Sequence, residues 1–219
     1  MMVDMKGLLA DPTVTYCEAA TGYLVNRPWY AISNLAFFVA ALMIYRAEKT
    51  PLARLFAGLA LLLGLLSLIY DVAYVYIAQL CDLAGMLIFV TVLLILNMQQ
   101  LLPGRKFIVL MFGLGILSVG LIVAFGGYVG NIIFGLYVLA VVVSEGILLR
   151  MGRYRHIRYW AVTFGVFVLG FGLWVLDTSR TVCFDFGLLN GRAIFHYVAA
   201  WVMWRMFMFY RRQTVLSNL

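Results

Sequence analysis

Charged side chains are scarce in this chain, and their scarcity excludes most classes of soluble protein. Only 11% of the 219 residues are charged, whereas 65% are hydrophobic, and the mean hydropathy is +1.02. The sequence also lacks the alternation of polar and apolar residues that transmembrane barrels require, and it contains no repeat of fixed period. We therefore predict an all-α, polytopic membrane protein.

Apolar runs long enough to cross a bilayer recur along the sequence. A transmembrane helix needs about 20 predominantly apolar residues. We predict seven such spans, at roughly 29–45, 52–70, 82–101, 106–126, 129–149, 159–177 and 191–210. Because the connections between them are short, residues 1–219 are predicted to form a single seven-helix membrane domain. The N-terminal segment has neither a basic n-region nor an apolar h-region, so we predict no cleavable signal peptide.

The distribution of lysine and arginine predicts how the bundle lies in the membrane. With seven spans, the loops on one side hold Arg46, Lys49, Arg54, Arg105, Lys106, Arg150, Arg153, Arg155, Arg158, Arg205, Arg211 and Arg212, and the other side holds Lys6, Arg27, Arg180 and Arg192. Cytoplasmic loops carry the excess of basic residues, so the N-terminus is predicted to be outside or lumenal and the C-terminus cytoplasmic. The formal net charge of +7 then reflects topology and anionic headgroups rather than nucleic acid.

Two of the three cysteines fall in segments that this topology places outside, where disulfides usually form. We predict that a Cys17–Cys183 disulfide ties the N-terminal segment to the connection before the last helix, with two free thiols as the alternative. Cys81 is interpreted as a small packing residue.

A small group of polar residues interrupts the spans near the predicted outer side. Ser67 and Asp71 are four residues apart and share a face of the second span, as Arg192 and His196 do on the last one. Asp82 is predicted to open the third span, where the helix macrodipole favours a carboxylate. Ionisable groups inside membrane spans are by default candidates for a functional site.

The chemistry of this group leaves two interpretations open. His196, Asp71 and Asp82 could ligate a zinc ion and leave a position for water. Arg192 is always protonated and would repel a divalent cation, so the alternative is a metal-free Asp71–Arg192 ion pair. In that alternative His196 would bond to Asp82 or Ser67.

The order and spacing of these residues resemble those of the alkaline ceramidases and their relatives, the CREST superfamily of seven-helix membrane hydrolases that includes the adiponectin receptors. In that family the second helix carries Ser-x3-His, an Asp begins the third, and the last carries His-x3-His; the three histidines bind zinc. Here Ser67-x3-Asp71, Asp82 and Arg192-x3-His196 occupy the same frame. Two of the three zinc histidines are thus replaced, by Asp71 and Arg192.

Three further motifs carry the resemblance along the rest of the chain: Tyr16-Cys17-Glu18 is similar to the family's Trp-Cys-Glu, Ser33-Asn34 to its Ser-Asn, and Asp177-x5-Cys183 to its Asp…Cys pattern. Some members also build a calcium site from N-terminal acids. Glu18 would be a remnant of that site, but Arg27 and Tyr30 stand where an acid and an Asn are expected. Calcium needs six to eight oxygens, so calcium binding is not expected.

The resemblance implies hydrolysis of a lipid amide bond, as in ceramide, at a polar site near the outer leaflet. Ser67 and Asp82 would be catalytic, and His196 and Asp71 would hold the zinc. The alternative is a metal-free relative that binds a ceramide-like or other acyl lipid or acts as a receptor-like or structural membrane protein. A transporter is a third class, but the sequence has no paired broken helices or inverted repeat.

Overall fold

The computed structural model describes residues 9–102, 105–125, 127–152, 157–183 and 187–212. In these ranges the regular elements are all helical, as predicted. They are α1 (Pro28–Ser33), α2 (Leu35–Ala47), α3 (Pro51–Ala73), α4 (Tyr76–Leu101), α5 (Arg105–Phe125), α6 (Gly127–Arg150), α7 (Ile157–Thr178), a 3-10 turn (Gly187–Leu189) and α8 (Gly191–Arg211). Lys6, Arg153 and Arg155, which contribute to the predicted orientation, lie outside the described residues.

Five helical segments are long and apolar enough to cross a membrane: Pro28–Ala47, which joins α1 and α2, Pro51–Ala73, Tyr76–Leu101, Val129–Arg150 and Arg158–Thr178. Helix α5 contributes a shorter apolar stretch, Phe112–Phe125. These helices fit an integral, multi-pass membrane protein. Helix α8 has comparable length and buries mostly apolar side chains, but it also contains Arg192, Arg205 and Arg211.

The connection between α3 and α4 differs from its prediction. Tyr74 ends α3 in the left-handed conformation, with φ 48° and ψ 50°, and Val75 is extended. Helix α4 therefore begins at Tyr76 rather than at residue 82, and Asp82 lies almost two turns inside it. The predicted role of Asp82 as a helix-opening charge is wrong, because the macrodipole effect fades within the first turn. The remaining predicted boundaries agree with the helices to within three residues.

A break between α1 and α2 aims two polar side chains into the bundle. Ser33 Oγ donates to the Tyr30 carbonyl at 2.7 Å, and Asn34 Nδ2 donates to the same carbonyl at 3.0 Å. Such side-chain bonds compete with the helical pattern of the backbone. The helix restarts at Leu35, and both side chains remain buried.

Helix α8 begins in close contact with α7. A Cβ atom at Gly191 would lie 2.6 Å from the Leu173 carbonyl oxygen and 2.8 Å from Asp177 Cβ. Only glycine permits this approach. The contact fixes the first turn of α8, and with it Arg192, at one end of the bundle.

The helices enclose an apolar cavity, and two of the helices that line it, α6 and α7, make little contact with each other. Helix α4 is central, with 72% of its span buried, and it packs on α3, α5 and α6. Helix α7 packs mainly on α8, and only 11% of its span is buried. In the described part of the chain α6 and α7 are consecutive yet barely touch. A narrow cavity of about 120 Å³ lies among α2, α3, α4, α6, α7 and α8.

Candidate functional site

Arg192 lies between two carboxylates at the end of the bundle where α8 begins. Its Nη2 is 3.2 Å from Asp71 Oδ1 on α3 and 3.2 Å from Asp82 Oδ2 on α4. Its Nη1 donates to the Tyr16 hydroxyl at 2.6 Å. All three charged side chains are buried. We call Asp71, Asp82 and Arg192, with the side chains that bond to them, the paired end.

A neutral donor bonds to each of the two carboxylates. Ser67 Oγ donates to Asp82 Oδ1 at 2.7 Å, and Asn34 Nδ2 donates to Asp71 Oδ2 at 2.8 Å. The structure thus brings together Ser67 and Asp82, the residues to which the resemblance assigns catalysis. Each carboxylate has one neutral hydrogen-bond donor and one contact with Arg192, so the protein itself compensates both buried charges.

His196 follows Arg192 by one turn and contacts α1. Its Nδ1 lies 2.7 Å from Ser33 Oγ, and Ser33 donates its own proton to the Tyr30 carbonyl. The tautomer that satisfies both bonds therefore carries its proton on Nδ1, an assignment that rests on this network. The partner is Ser33, not the Asp82 or Ser67 that the sequence suggested. His196 also lines the cavity.

Residues 9–27, which we call the arm, cover the paired end. A disulfide joins Cys17 to Cys183. Thr13 N donates to Gln79 Oε1 at 2.8 Å, and Tyr16 lines the end of the cavity. Burial raises the pKa of Tyr16 above its ordinary value, so the neutral phenol accepts the bond from Arg192. The arm therefore separates the paired end from the surrounding water.

Glu18 has a role in the arm that is independent of calcium. Its Oε1 accepts from Trp29 N at 2.9 Å and its Oε2 from Tyr30 N at 3.0 Å. These N–H groups are in the first turn of α1, where the helix has no internal acceptors for them. Burial raises the pKa of Glu18, and the two backbone bonds oppose that shift. Glu18 thus caps the first helix.

Arg27 contributes a second buried cation that the sequence did not assign to the site. Its guanidinium carbon lies 3.5 Å from the centre of the Tyr74 ring and 4.5 Å from that of Tyr16. Its Nη1 is 3.9 Å from Asp71 Oδ1, and its nitrogens make no hydrogen bond to the described residues. Aromatic faces stabilise this desolvated charge. The three tyrosines between residues 70 and 76 were the sequence feature that could have indicated aromatic partners for this cation.

The cavity extends from the paired end toward the opposite end of the bundle. Ser67, Asp82 and His196 border one end, and Trp160 and Thr163 border the other. Along α7 its lining runs from residue 174 to residue 160, which corresponds to about 21 Å of helix. One leaflet of a bilayer contributes about half of the ~30 Å hydrocarbon core. The cavity is therefore long enough to hold a lipid chain.

A second polar cluster, also unassigned from the sequence, lies near the end of α8. The Tyr210 hydroxyl is 2.7 Å from Asn97 Oδ1 and 2.8 Å from Glu145 Oε1, and Asn97 Nδ2 donates to Ser144 Oγ at 2.9 Å. All four residues are buried. These residues belong to three different helices, so their spacing along the sequence could not predict that they meet.

At the paired end a permanent positive charge lies between the two carboxylates that were candidate zinc ligands. Among the described residues no three His, Cys, Asp or Glu side chains form a group that could hold a metal. Asp71 and Asp82 both face the guanidinium of Arg192, and Nδ1 of His196 is engaged by Ser33. A divalent cation placed among them would lie beside a permanent positive charge.

No protein-family model matches this chain, and no curated protein matches it. The resemblance to the alkaline ceramidases therefore depends on the motifs quoted above.

Proposed function

We propose that this chain is a seven-span membrane protein that binds a lipid in its interhelical cavity and does so without a catalytic metal. The observation that carries the proposal is the position of Arg192, whose Nη2 lies 3.2 Å from each of two buried carboxylates beside the cavity. A tethered cation occupies the place where the resemblance expects zinc. The apolar cavity remains, and its length suits a lipid chain.

The seven-span topology extends the five apolar segments by α5 and α8. Helix α8 is 21 residues long and packs against α2, α3 and α7, so it is as deep in the bundle as its neighbours. Its buried polar side chains Arg192 and His196 face other helices, which is where polar groups of a membrane helix belong. With seven spans the excess of basic residues lies on the side of the C-terminus, so we propose an outside or lumenal N-terminus.

The balance of charge at the paired end favours a neutral polar group on the ligand. Arg27 and Arg192 face Asp71 and Asp82, and the buried carboxylate of Asp177 also lies near Arg192, so the cluster has no excess of positive charge. An added phosphate would meet two fixed carboxylates. A hydroxyl or amide group could bond to the cavity-lining side chains of Ser67, Gln79 and His196 without that repulsion.

A lipid amide hydrolase is the second candidate, and one observation favours it. Ser67 and Asp82 are hydrogen-bonded at 2.7 Å and line the same cavity as His196. Nucleophilic catalysis requires a base within hydrogen-bond reach of the hydroxyl, and a carboxylate satisfies that geometry. The other oxygen of Asp82 is already engaged by Arg192, so we rank this candidate second.

Metal analysis of the purified protein tests the metal-free proposal. Wild type and His196→Ala should both contain far less than one zinc per chain. The Asp71→His/Arg192→His variant restores the family's histidine pattern and serves as the positive control, in which we expect about one zinc per chain. One zinc per wild-type chain, lost in His196→Ala, would overturn the proposal and favour the hydrolase.

Lipid analysis of the same preparations tests the cavity. Val138→Trp fills the cavity from α6, and Leu136→Trp on the lipid-exposed face of the same helix is the matched control. Mass spectrometry of extracted lipid should find a neutral lipid with wild type and with Leu136→Trp but little with Val138→Trp. Equal lipid in all three proteins would contradict cavity binding.

A further inference from the structure

Two arginines converge on one tyrosine at the end of the bundle opposite the paired end. The guanidinium carbon of Arg205 lies 3.2 Å from the centre of the Tyr159 ring, and that of Arg212 lies 5.0 Å from it. Arg205 is thirteen residues after Arg192, so about 20 Å of helix separates it from the paired end. We call Arg205, Arg212 and Tyr159 the basic end.

Neither arginine of the basic end has a carboxylate partner. In the ranges that the structure describes, no Asp or Glu oxygen lies within 4.0 Å of either side chain. Their neighbour Arg211 differs, since its Nε is 2.5 Å from Glu48 Oε1. Among the described residues, the two positive charges of the basic end therefore meet aromatic rings, that of Tyr159 for both and that of Trp201 for Arg205, but no carboxylate.

The geometry leaves donors free for a ligand. Arg205 Nε donates to Thr163 Oγ1 at 3.4 Å, and its two Nη nitrogens make no hydrogen bond to the described residues. Arg212 is exposed. A guanidinium that rests on an aromatic face keeps its edge available, and that edge matches the oxygens of a phosphate group.

We propose that Arg205 and Arg212 bind the phosphate of an anionic membrane lipid. Arg205 lies in the last two turns of α8 and Arg212 is its C-cap residue, so both lie at headgroup level when α8 spans the bilayer as proposed. Anionic headgroups attract basic residues at this position. The inner end of the cavity, at Trp160 and Thr163, adjoins the same side chains, so apolar surface is available beside the phosphate.

This inference goes beyond the proposed function: it rests on the proposed span of α8 across the bilayer, but not on the lipid proposed for the cavity. The carboxylates of the paired end disfavour an anion there, whereas the basic end has unbalanced positive charge and favours an anion. One site can therefore fail its test while the other passes.

Native mass spectrometry of the full-length protein in detergent tests the site. Phosphatidylglycerol and phosphatidylcholine are added at equal concentrations to wild type, Arg205→Gln/Arg212→Gln and Arg211→Gln. Wild type should retain phosphatidylglycerol in preference to phosphatidylcholine. The double variant should lose affinity for phosphatidylglycerol by at least tenfold, since each basic residue near an anionic headgroup contributes roughly fivefold. Arg211→Gln removes the charge next to Arg212. Because that charge is already paired with Glu48, this variant should bind phosphatidylglycerol as wild type does.

Two controls separate folding and ligand source from recognition. Arg205→Lys keeps the charge but not the planar edge, so it should bind at an intermediate level, and an unchanged thermal melting curve verifies the fold. Inorganic phosphate at millimolar concentration should not displace phosphatidylglycerol, and displacement would overturn the assignment to a lipid. Equal retention of the two lipids by wild type, or an equal loss in Arg211→Gln, would also overturn it.

Discussion

The two ends of the bundle hold their arginines in opposite ways. At the paired end Arg192 is buried, forms ion pairs with two carboxylates and donates to a phenol. At the basic end Arg205 rests on Tyr159 and has no carboxylate partner among the described residues. The first arrangement neutralises charge within the protein, and the second leaves charge for the surroundings to neutralise.

The difference shows that burial determines whether a charged side chain needs a fixed partner within the protein. A buried ion in an apolar bundle must have a fixed partner, because desolvation would otherwise exclude it. A cation near the membrane surface can exchange its partner between water, ions and lipid headgroups. The paired end is therefore suited to maintain structure beside the cavity, and the basic end to respond to the membrane.

Removing the central cation should have the largest effect on stability. Arg192→Gln leaves Asp71 and Asp82 without their shared partner, and breaking a buried pair in this way costs on the order of 3–5 kcal/mol. Asp71→Asn should cost less, because Arg192 keeps Asp82. Thermal or denaturant unfolding in detergent measures both.

The double variant Asp71→Asn/Arg192→Gln sharpens this test, and Arg205→Gln provides the matched control. The double variant should be more stable than the sum of the single effects predicts, since residues in one ionic network couple. A charge-swapped pair should not recover, because an acid at position 192 would face Asp82. If Arg205→Gln destabilises as much as Arg192→Gln, the contrast between the two ends fails.

Opening the disulfide should have the next largest effect and should act on the paired end alone. The Cys17→Ser/Cys183→Ser variant frees the arm, and loss of a native disulfide typically costs about 2–4 kcal/mol. Cys81→Ser is the matched control. Alkylation of native and reduced protein, followed by mass spectrometry, verifies that the thiols of wild type are joined. Equal melting temperatures for all three proteins would contradict a structural role of the arm.

The existence of the helices was predictable, but one boundary was not. Bilayer thickness sets the length of an apolar span, so composition alone predicts where helices lie. The connection at Tyr74 and Val75 contains neither Gly nor Pro, the residues that usually mark turns. Tyr74 adopts its left-handed conformation at a position where its ring covers Arg27. Such a long-range contact leaves no local signal.

The candidate site was predictable in its members but not in its bonds. Helical spacing put Ser67 with Asp71 and Arg192 with His196. It could not reveal that His196 bonds to Ser33, a residue 163 positions away in sequence. Nor could it reveal that Arg192 contacts two carboxylates rather than one. Partners across a bundle depend on helix rotation, and rotation is decided by the packing of the whole bundle.

The smallest predicted effect concerns Arg27, which combines features of both ends. It is buried like Arg192, yet like Arg205 it rests on aromatic rings. A desolvated cation–π contact contributes about 2 kcal/mol, so Arg27→Met should destabilise by roughly that amount. Tyr74→Phe keeps the aromatic face and should be nearly neutral in stability, whereas Tyr74→Leu should approach the effect of Arg27→Met.

Because Arg27 and Tyr74 share one contact, the Arg27→Met/Tyr74→Leu double variant should be little less stable than either single variant. Additive losses would instead show that Asp71, at 3.9 Å, is the partner that stabilises Arg27.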